Sequence, residues 1–270
     1  MSVANTSKKM SRQEVVDYFN EGIKEAEAFL FLARSSDLQH EQCLKLDALI
    51  HNVANAKQIA ITNQDEDLAN LFLGFECTIG AIHSELMMYI LLKRDEANAA
   101  WDCLVAAQMG VLDAMRAHKG FAHCSERLAQ LEQLERLLFP SQVFLSAGFL
   151  STGLECSICG QPTSKCDHLR GRPYMGQLCE FKYHQPRVHH VAQVKVPADK
   201  RCRVVSFKTV EGHKDRISWK VAPYKNGESY TKNDSLEVST IFLSLQRFPY
   251  MTPTGRVLVP TASSRTKEKP

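Results

Sequence analysis

The chain has 270 residues, of which 44% are hydrophobic and 23% charged, with nine cysteines and a net charge of +3. That length suits one large domain or two ordinary ones, and the composition is that of a soluble globular protein, without internal repeats or low-complexity blocks. No apolar run approaches the roughly 20 residues that cross a bilayer, and the polar start with Lys8-Lys9 lacks the apolar stretch of a secretory signal, so the expectation is a cytoplasmic protein with no membrane partner.

The charge is unevenly distributed. Residues 1–140 carry 13 Lys/Arg against 20 Asp/Glu, a net of −7, whereas residues 141–270 carry 20 against 10, a net of +10. Opposite fields point to two domains with different partners, or to two domains that attract each other.

Residues 1–10 read as disordered. Ser11-Arg12-Gln13-Glu14 has the pattern of a capping box, in which the Ser hydroxyl accepts from the Glu14 amide and the Glu14 carboxylate reaches back. Apolar residues at Val15, Phe19, Ile23, Ala26 and Leu30 keep helical period, and the helix is expected to end near Arg34, before Ser35-Ser36-Asp37. A second helix is expected over 38–62 with Leu46, Ile50 and Val53 inward. The acidic break at 63–67 then places negative charge where the next helix dipole favours it.

The third helix has the cleanest spacing in the chain, with Leu68, Phe72, Phe75, Ile79, Ile82, Leu86 and Ile90 on one stripe and Lys93-Arg94 at its end. A fourth runs over about 95–118, through Trp101, Leu104, Val105, Leu112 and Met115, and stops at Lys119-Gly120. A fifth covers about 125–138, with Leu128, Leu131, Leu134 and Leu138, and ends before Pro140. Short connections make neighbours antiparallel, so residues 11–140 read as an acidic up-and-down bundle of about five helices. Such a bundle offers a surface for a protein partner or for self-association.

After Pro140, glycines and prolines become frequent and β-branched residues cluster. Strands are expected at 189–196, 202–210, 216–221 and 236–245, with one more at 257–259. Pro197-Ala198-Asp199 and Lys225-Asn226-Gly227 read as turns, and the tail 261–270 as disordered. The fold class is therefore α+β: an N-terminal antiparallel helical bundle, then a basic, β-rich domain over 141–260.

At the junction the cysteines change character. Cys43, Cys77, Cys103 and Cys124 fall on apolar helix faces, where a reduced thiol behaves as a small hydrophobe. Cys156, Cys159, Cys166, His168 and Cys179 instead follow the spacing C-x2-C-x6-C-x-H-x10-C among Ser, Gly, Lys, Asp and Arg, with no apolar face to bury them. An odd cysteine total with ligand spacing argues against a disulfide framework and for one structural Zn2+, whose tetrahedron takes four thiolate or imidazole ligands. Cys156 and Cys159 form the knuckle, turned by Gly160. Two sets then compete: Cys156, Cys159, Cys166 and His168 is preferred, and the rival places Cys179 where Cys166 stands. Asp167 or a nearby carbonyl is expected to hold the His168 ring.

The segment from Glu155 to Gly160, with Cys166 to His168, Gly171 to Gly176, Cys179 and Val196 to Val204, resembles a short metal-binding segment of uncharacterised phage and mobile-element proteins. A similar V-P stretch closes the folded core of some tailed-phage head-maturation proteases. The resemblance covers roughly fifty residues and none of the bundle. It implies a zinc-stabilised module of microbial or phage-related origin. The protease's catalytic His and Ser have no counterpart here, so its activity is not carried over.

Signals for catalysis are thin. Arg34 and His40, like Arg116 and His123, match the loose R-x(4–6)-H spacing of a family of helical ribonucleases, but each Arg sits at a helix end, where a cation also simply matches the dipole. Glu41, His51, Glu76, His83 and Glu85 could form a carboxylate metal centre, but the E-x-x-H motif of such centres is missing. No nucleophile triad or phosphate loop is evident. In the basic half, Arg170, Arg172, Lys182, Arg187, Lys195, Lys200, Arg201, Arg203 and Lys208 alternate with aromatic residues and histidines. Cations that follow phosphates and rings that stack bases suit nucleic acid, although a solvated surface, or one docked on the acidic bundle, would read the same. The expected function is a non-enzymatic zinc-binding interaction or regulatory protein. The alternative is an effector enzyme, nuclease first.

Overall fold

The computed structural model describes residues 11–225, 227–230 and 236–251. The expected termini 1–10 and 261–270, the strand at 257–259 and Asn226 of the 225–227 turn lie outside the described residues.

Helix α1, Arg12–Glu27, opens with the capping box formed in both directions: Ser11 Oγ accepts from the Glu14 amide at 3.2 Å, and the Ser11 amide donates to Glu14 Oε2 at 2.7 Å. It ends well before Arg34. The amides of Phe29 and Leu30 turn back to the carbonyls of Ala26 and Glu27, and the buried Gln39 amide donates to the carbonyls of Phe29 and Phe31 at 2.9 and 3.0 Å. Those bonds satisfy a broken turn that periodicity alone would have continued, and Leu30 still reaches the core. Helix α2, Ser36–Thr62, is capped by Ser35. Helix α3, Glu66–Lys93, is capped by Asp65, whose carboxylate accepts from the Leu68 amide at 3.0 Å. Helix α4, Ala97–Ala117, leads through a 3-10 turn, Lys119–Phe121, into α5, Cys124–Leu138.

Helix α3 is the centre of the molecule. Nearly every residue from Leu71 to Leu91 is buried, not only the expected stripe. A helix apolar on all sides must be wrapped on all sides. Here α2 and α4 take two flanks, and the C-terminal region covers another. It is also the one described helix long and apolar enough to cross a membrane, yet 94% of that apolar window is buried inside the protein, the setting of a core helix.

The second half carries short antiparallel strands: β1 Phe144–Leu150, β2 Gly153–Cys156, β3 Pro173–Tyr174, β4 Gln177–Leu178, β5 Phe181–His184, β6 Arg187–Val194, β7 Val204–Thr209, β8 Gly212–Asp215, β9 Val221–Ala222 and β10 Val238–Thr240. Among the described residues β1 pairs with β6, β2 with β5 and β3 with β4, while β10-β7-β8-β9 form a four-stranded sheet. The class is α+β. Strands β1 to β5 were not expected from sequence. The expected strand at 216–221 is mostly a turn, because Asp215 Oδ1 accepts from the amides of Ile217 and Ser218 and Trp219 takes a positive φ of 59°. Of 236–245, only Val238–Thr240 is strand.

The two halves share one core. Leu178, Ile217 and Tyr250 join the apolar cluster of the helices. Trp101 Nε1 donates to the Lys200 carbonyl at 3.1 Å, tying α4 to the segment before β7. The Tyr250 carbonyl lies against Gly80 so closely that a Cβ there would stand 2.2 Å from its oxygen.

Candidate metal centre

Strand β2 delivers Cys156 in register with Phe181 of β5. The chain then doubles back: the Cys156 amide donates to the Gln161 carbonyl at 2.9 Å, and the Gly160 amide to the Cys156 carbonyl at 3.0 Å. Gly160 has φ 70° with open space around it, so glycine serves the left-handed backbone and not a close approach. The turn aims the Ile158 amide at Cys156 Sγ, 3.4 Å away, and brings Cys159 Sγ to 3.4 Å from Cys166 Sγ. Cys166 follows the 3-10 turn Thr163–Lys165, and its sulfur lies 3.2 Å from His168 Nδ1.

The ligand atoms of Cys156, Cys159, Cys166 and His168 all lie within 4.8 Å of one another. Sulfurs in a zinc tetrahedron, each about 2.3 Å from the ion, stand about 3.8 Å apart, so small adjustments suffice for all four to share one ion. This cluster could hold a metal, and it matches the preferred set. The rival ligand is close as well: Cys179 is fully buried, with Sγ 3.7 Å from Cys156 Sγ. The side chain against the His168 ring is Tyr174, edge-on at 4.5 Å, and not Asp167; the Tyr174 hydroxyl also accepts from the Leu169 amide at 2.9 Å.

The thiols are unequal. Burial opposes ionisation of Cys156, but the amides of Cys159 and Ile158 and the thiols of Cys166 and Cys179 outweigh it and hold Cys156 down at about 6. Burial pushes Cys166 up to about 11 and Cys179 up to about 12, with Cys156 beside them adding to the effect. A metal bound here would have to ionise Cys166 and Cys179 against that burial by its own charge.

The site is fastened to the helices by the β3–β4 hairpin. The amides of Met175 and Gly176 donate to Glu66 Oε1 at 3.2 Å and Asn70 Oδ1 at 2.8 Å, both at the start of α3. Gly176, at φ 75°, packs against Lys57 of α2, and Leu178 enters the core. Next to Cys179, Glu180 pairs with Arg170 at 3.0 Å and with Arg247 at 2.8 Å, and Arg247 in turn grips Asp113 of α4. Sequence reading missed Tyr174, Glu180 and the docking glycine, although Gly171 to Gly176 carried the signal of a tight hairpin.

The remaining candidates separate. Of the basic residues that suit nucleic acid by sequence, Arg201 and Arg203 are buried and Lys200 is half-buried, each held by contacts within the protein. Lys200 bonds Glu135 at 2.6 Å, and Arg201, 8% exposed, is clamped by Asp199 and the Gln246 carbonyl. Arg203, 1% exposed, bonds Asn98 Oδ1 and lies over Trp101. Arg170, Arg172 and Arg187 remain exposed. Neither ribonuclease-like pair is assembled among the described residues. Arg34 lies over Phe29 while His40 is exposed, and Arg116 pairs with Asp113 while His123 bonds the Gly120 carbonyl at 3.0 Å. The carboxylate-centre candidates are likewise engaged elsewhere: Glu76 with Lys57, Glu85 with Arg127, Glu41 with Lys45 and His51 with the Asp47 carbonyl. Comparison with protein-family models gives no match, and comparisons with curated proteins and with solved structures give none either.

Proposed function

We propose that this is a zinc-stabilised, non-enzymatic binding protein. One Zn2+ held by Cys156, Cys159, Cys166 and His168 acts as a clasp. The acidic helices serve protein association, and the exposed basic side of the β region engages a polyanion, nucleic acid first. A phage- or defence-related role belongs to the same proposal.

The carrying observation is the proximity of three thiols and one imidazole, whose ligand atoms lie within 4.8 Å of one another. Four protein ligands fill a zinc tetrahedron and leave no position for water or substrate, which is the arrangement of a structural site. A sulfur-rich set with one imidazole also favours zinc over oxygen-seeking cations such as Mg2+. The strands around the site are two to four residues long and bury little, so a metal supplies cohesion that apolar contact does not.

The test is incubation of the purified protein with labelled RNA and DNA, with and without Mg2+ or Mn2+. The expected result is salt-dependent binding without cleavage. Cleavage that disappears on substitution of His40 or His123 would replace this reading with a nuclease.

A further inference from the structure

Strands β1 and β6 form a two-stranded antiparallel ribbon from Phe144↔Val194 at its base to Leu150↔Arg187 at its far end. Strands β2 and β5 continue it beyond an interruption at Ser151-Thr152 and Gln185-Pro186, where Gln185 takes φ 47°. Among the ribbon's described hydrophobic residues, Phe144 alone of β1 and β6 packs against the helical core, and residues 187–193 are all exposed. Eight residues of β6 span about 26 Å.

The pairing sorts the side chains onto two faces. Ala147 lies opposite Val191 and Phe149 opposite Val188, so these four share one face. The Phe149 ring meets Tyr183 of β5 at 6.3 Å across the interruption, extending that apolar face. The other face presents Arg187 opposite Leu150 and His190 opposite Gly148. A bulge there adds His189 beside His190, with their Nδ1 atoms 3.1 Å apart. The His190 ring occupies the space a side chain at Gly148 would need, its Cε1 standing 2.3 Å from where a Cβ would be. On β5, Lys182 and His184 point away from the apolar face, next to Glu155. Arg187 has no carboxylate partner among the described residues, whereas Lys200 pairs with Glu135, Arg201 with Asp199, and the buried Arg203 bonds the Asn98 amide oxygen.

We propose that this ribbon is the nucleic-acid-reading element, and that its ligand is duplex DNA, entered through the major groove by the face carrying Arg187, His189 and His190. The proposal rests on the reading that the β region engages a polyanion. The B-form major groove, about 12 Å wide, admits a two-stranded ribbon, whereas the deep, narrow major groove of A-form RNA does not. The Arg187 fork can grip a guanine edge or a phosphate in bidentate fashion, and the paired imidazoles can donate and accept at base edges. Lys182 on β5 and Lys195, which follows β6, are both exposed and suit phosphates.

The test is fluorescence anisotropy at low salt with the full chain and four labelled probes: a DNA duplex, its single strand, an RNA duplex of the same sequence, and polyglutamate. Wild type is compared with Arg187→Ala/His190→Ala and with Lys24→Ala on α1 as the control. The DNA duplex should bind tightest, the double variant should lose about tenfold or more, and the control should lose nothing. Both substituted ribbon positions are exposed, so thermal melts should match wild type; Arg187→Lys, which keeps the charge without the fork, should weaken duplex binding in part. Duplex binding unchanged in the double variant overturns the ribbon assignment and leaves the polyanion reading intact. Tighter binding to the single strand, to RNA or to polyglutamate overturns the duplex assignment alone. Binding to none of the four overturns both.

Discussion

The hydroxyl of Tyr250 donates to Asp113 Oδ2 at 2.5 Å, deep in the protein where Tyr250 is 0% and Asp113 1% exposed. Arg247 donates to both oxygens of the same carboxylate at 2.9 and 3.1 Å, and Arg116 reaches Oδ1 at 3.0 Å. A tyrosine and an arginine from the C-terminal region thus close on one buried acid of α4. Arg247 also holds Glu180 beside Cys179, so this node is linked to the Cys/His cluster.

Tyr250→Phe removes one donor but leaves Asp113 with its arginines. The expected cost is about 1–2 kcal/mol, read from denaturant unfolding. Gly80→Ala should cost more, because its Cβ would stand 2.2 Å from the Tyr250 carbonyl oxygen and the backbone there must shift. Equal stability of the glycine variant and wild type would contradict the insertion of Tyr250 between α3 and α4.

The ligand set makes its own prediction. Cys166→Ser should lose zinc, while Cys179→Ser should retain it and lose only packing around a fully buried thiol. Substitution with Co2+ reads the donors directly, since a set of three sulfurs and one nitrogen differs in absorption from four sulfurs. The reverse pattern would give the place to Cys179.

Arg203 separates a structural role from a binding one. Its guanidinium is buried against Asn98 and Trp101, with Asp102 and Asp215 near enough to interact. Arg203→Met should cost about 3 kcal/mol, because it leaves buried polar groups unpaired, and should leave the affinity of the folded protein for polyanions unchanged. Weakened binding at unchanged stability would return Arg203 to the binding surface.

His83 makes stability depend on pH. Burial, with His40 nearby, holds its imidazole down at about 4, although Asp47 stands 3.6 Å away on a more exposed flank. A histidine in the unfolded chain takes its proton near 6.5, so between that pH and about 4 the unfolded state binds a proton the folded state refuses. This contribution is fully present above pH 6.5 and is lost as pH falls toward 4, up to about 3 kcal/mol. The difference in unfolding free energy between pH 7 and pH 5 should shrink in His83→Gln; an unchanged difference would contradict it.

Much of this architecture is legible in the sequence because it is local. The capping box at Ser11, the acidic start of α3 and the stop before Pro140 need only neighbouring residues, and so does the Cys156–Cys159 knuckle. What escaped is what depends on distant partners. The end of α1 is set by Gln39, ten residues beyond Phe29. The strands around the Cys/His cluster are too short to carry an alternating pattern. The basic residues illustrate the same limit, since composition marks Arg187 and Arg203 alike, and only the packing of the segment before β7 against α4 shows that one faces solvent and the other a tryptophan.

The most direct test of the zinc clasp is elemental analysis of the protein, purified without chelator, alongside Cys156→Ser and Cys159→Ser. The clasp predicts about one zinc per wild-type chain, little or none in either variant, and a lower melting temperature once a strong chelator strips the metal. Wild-type protein that contains no zinc or other metal, and whose melt a chelator leaves unchanged, would contradict the account.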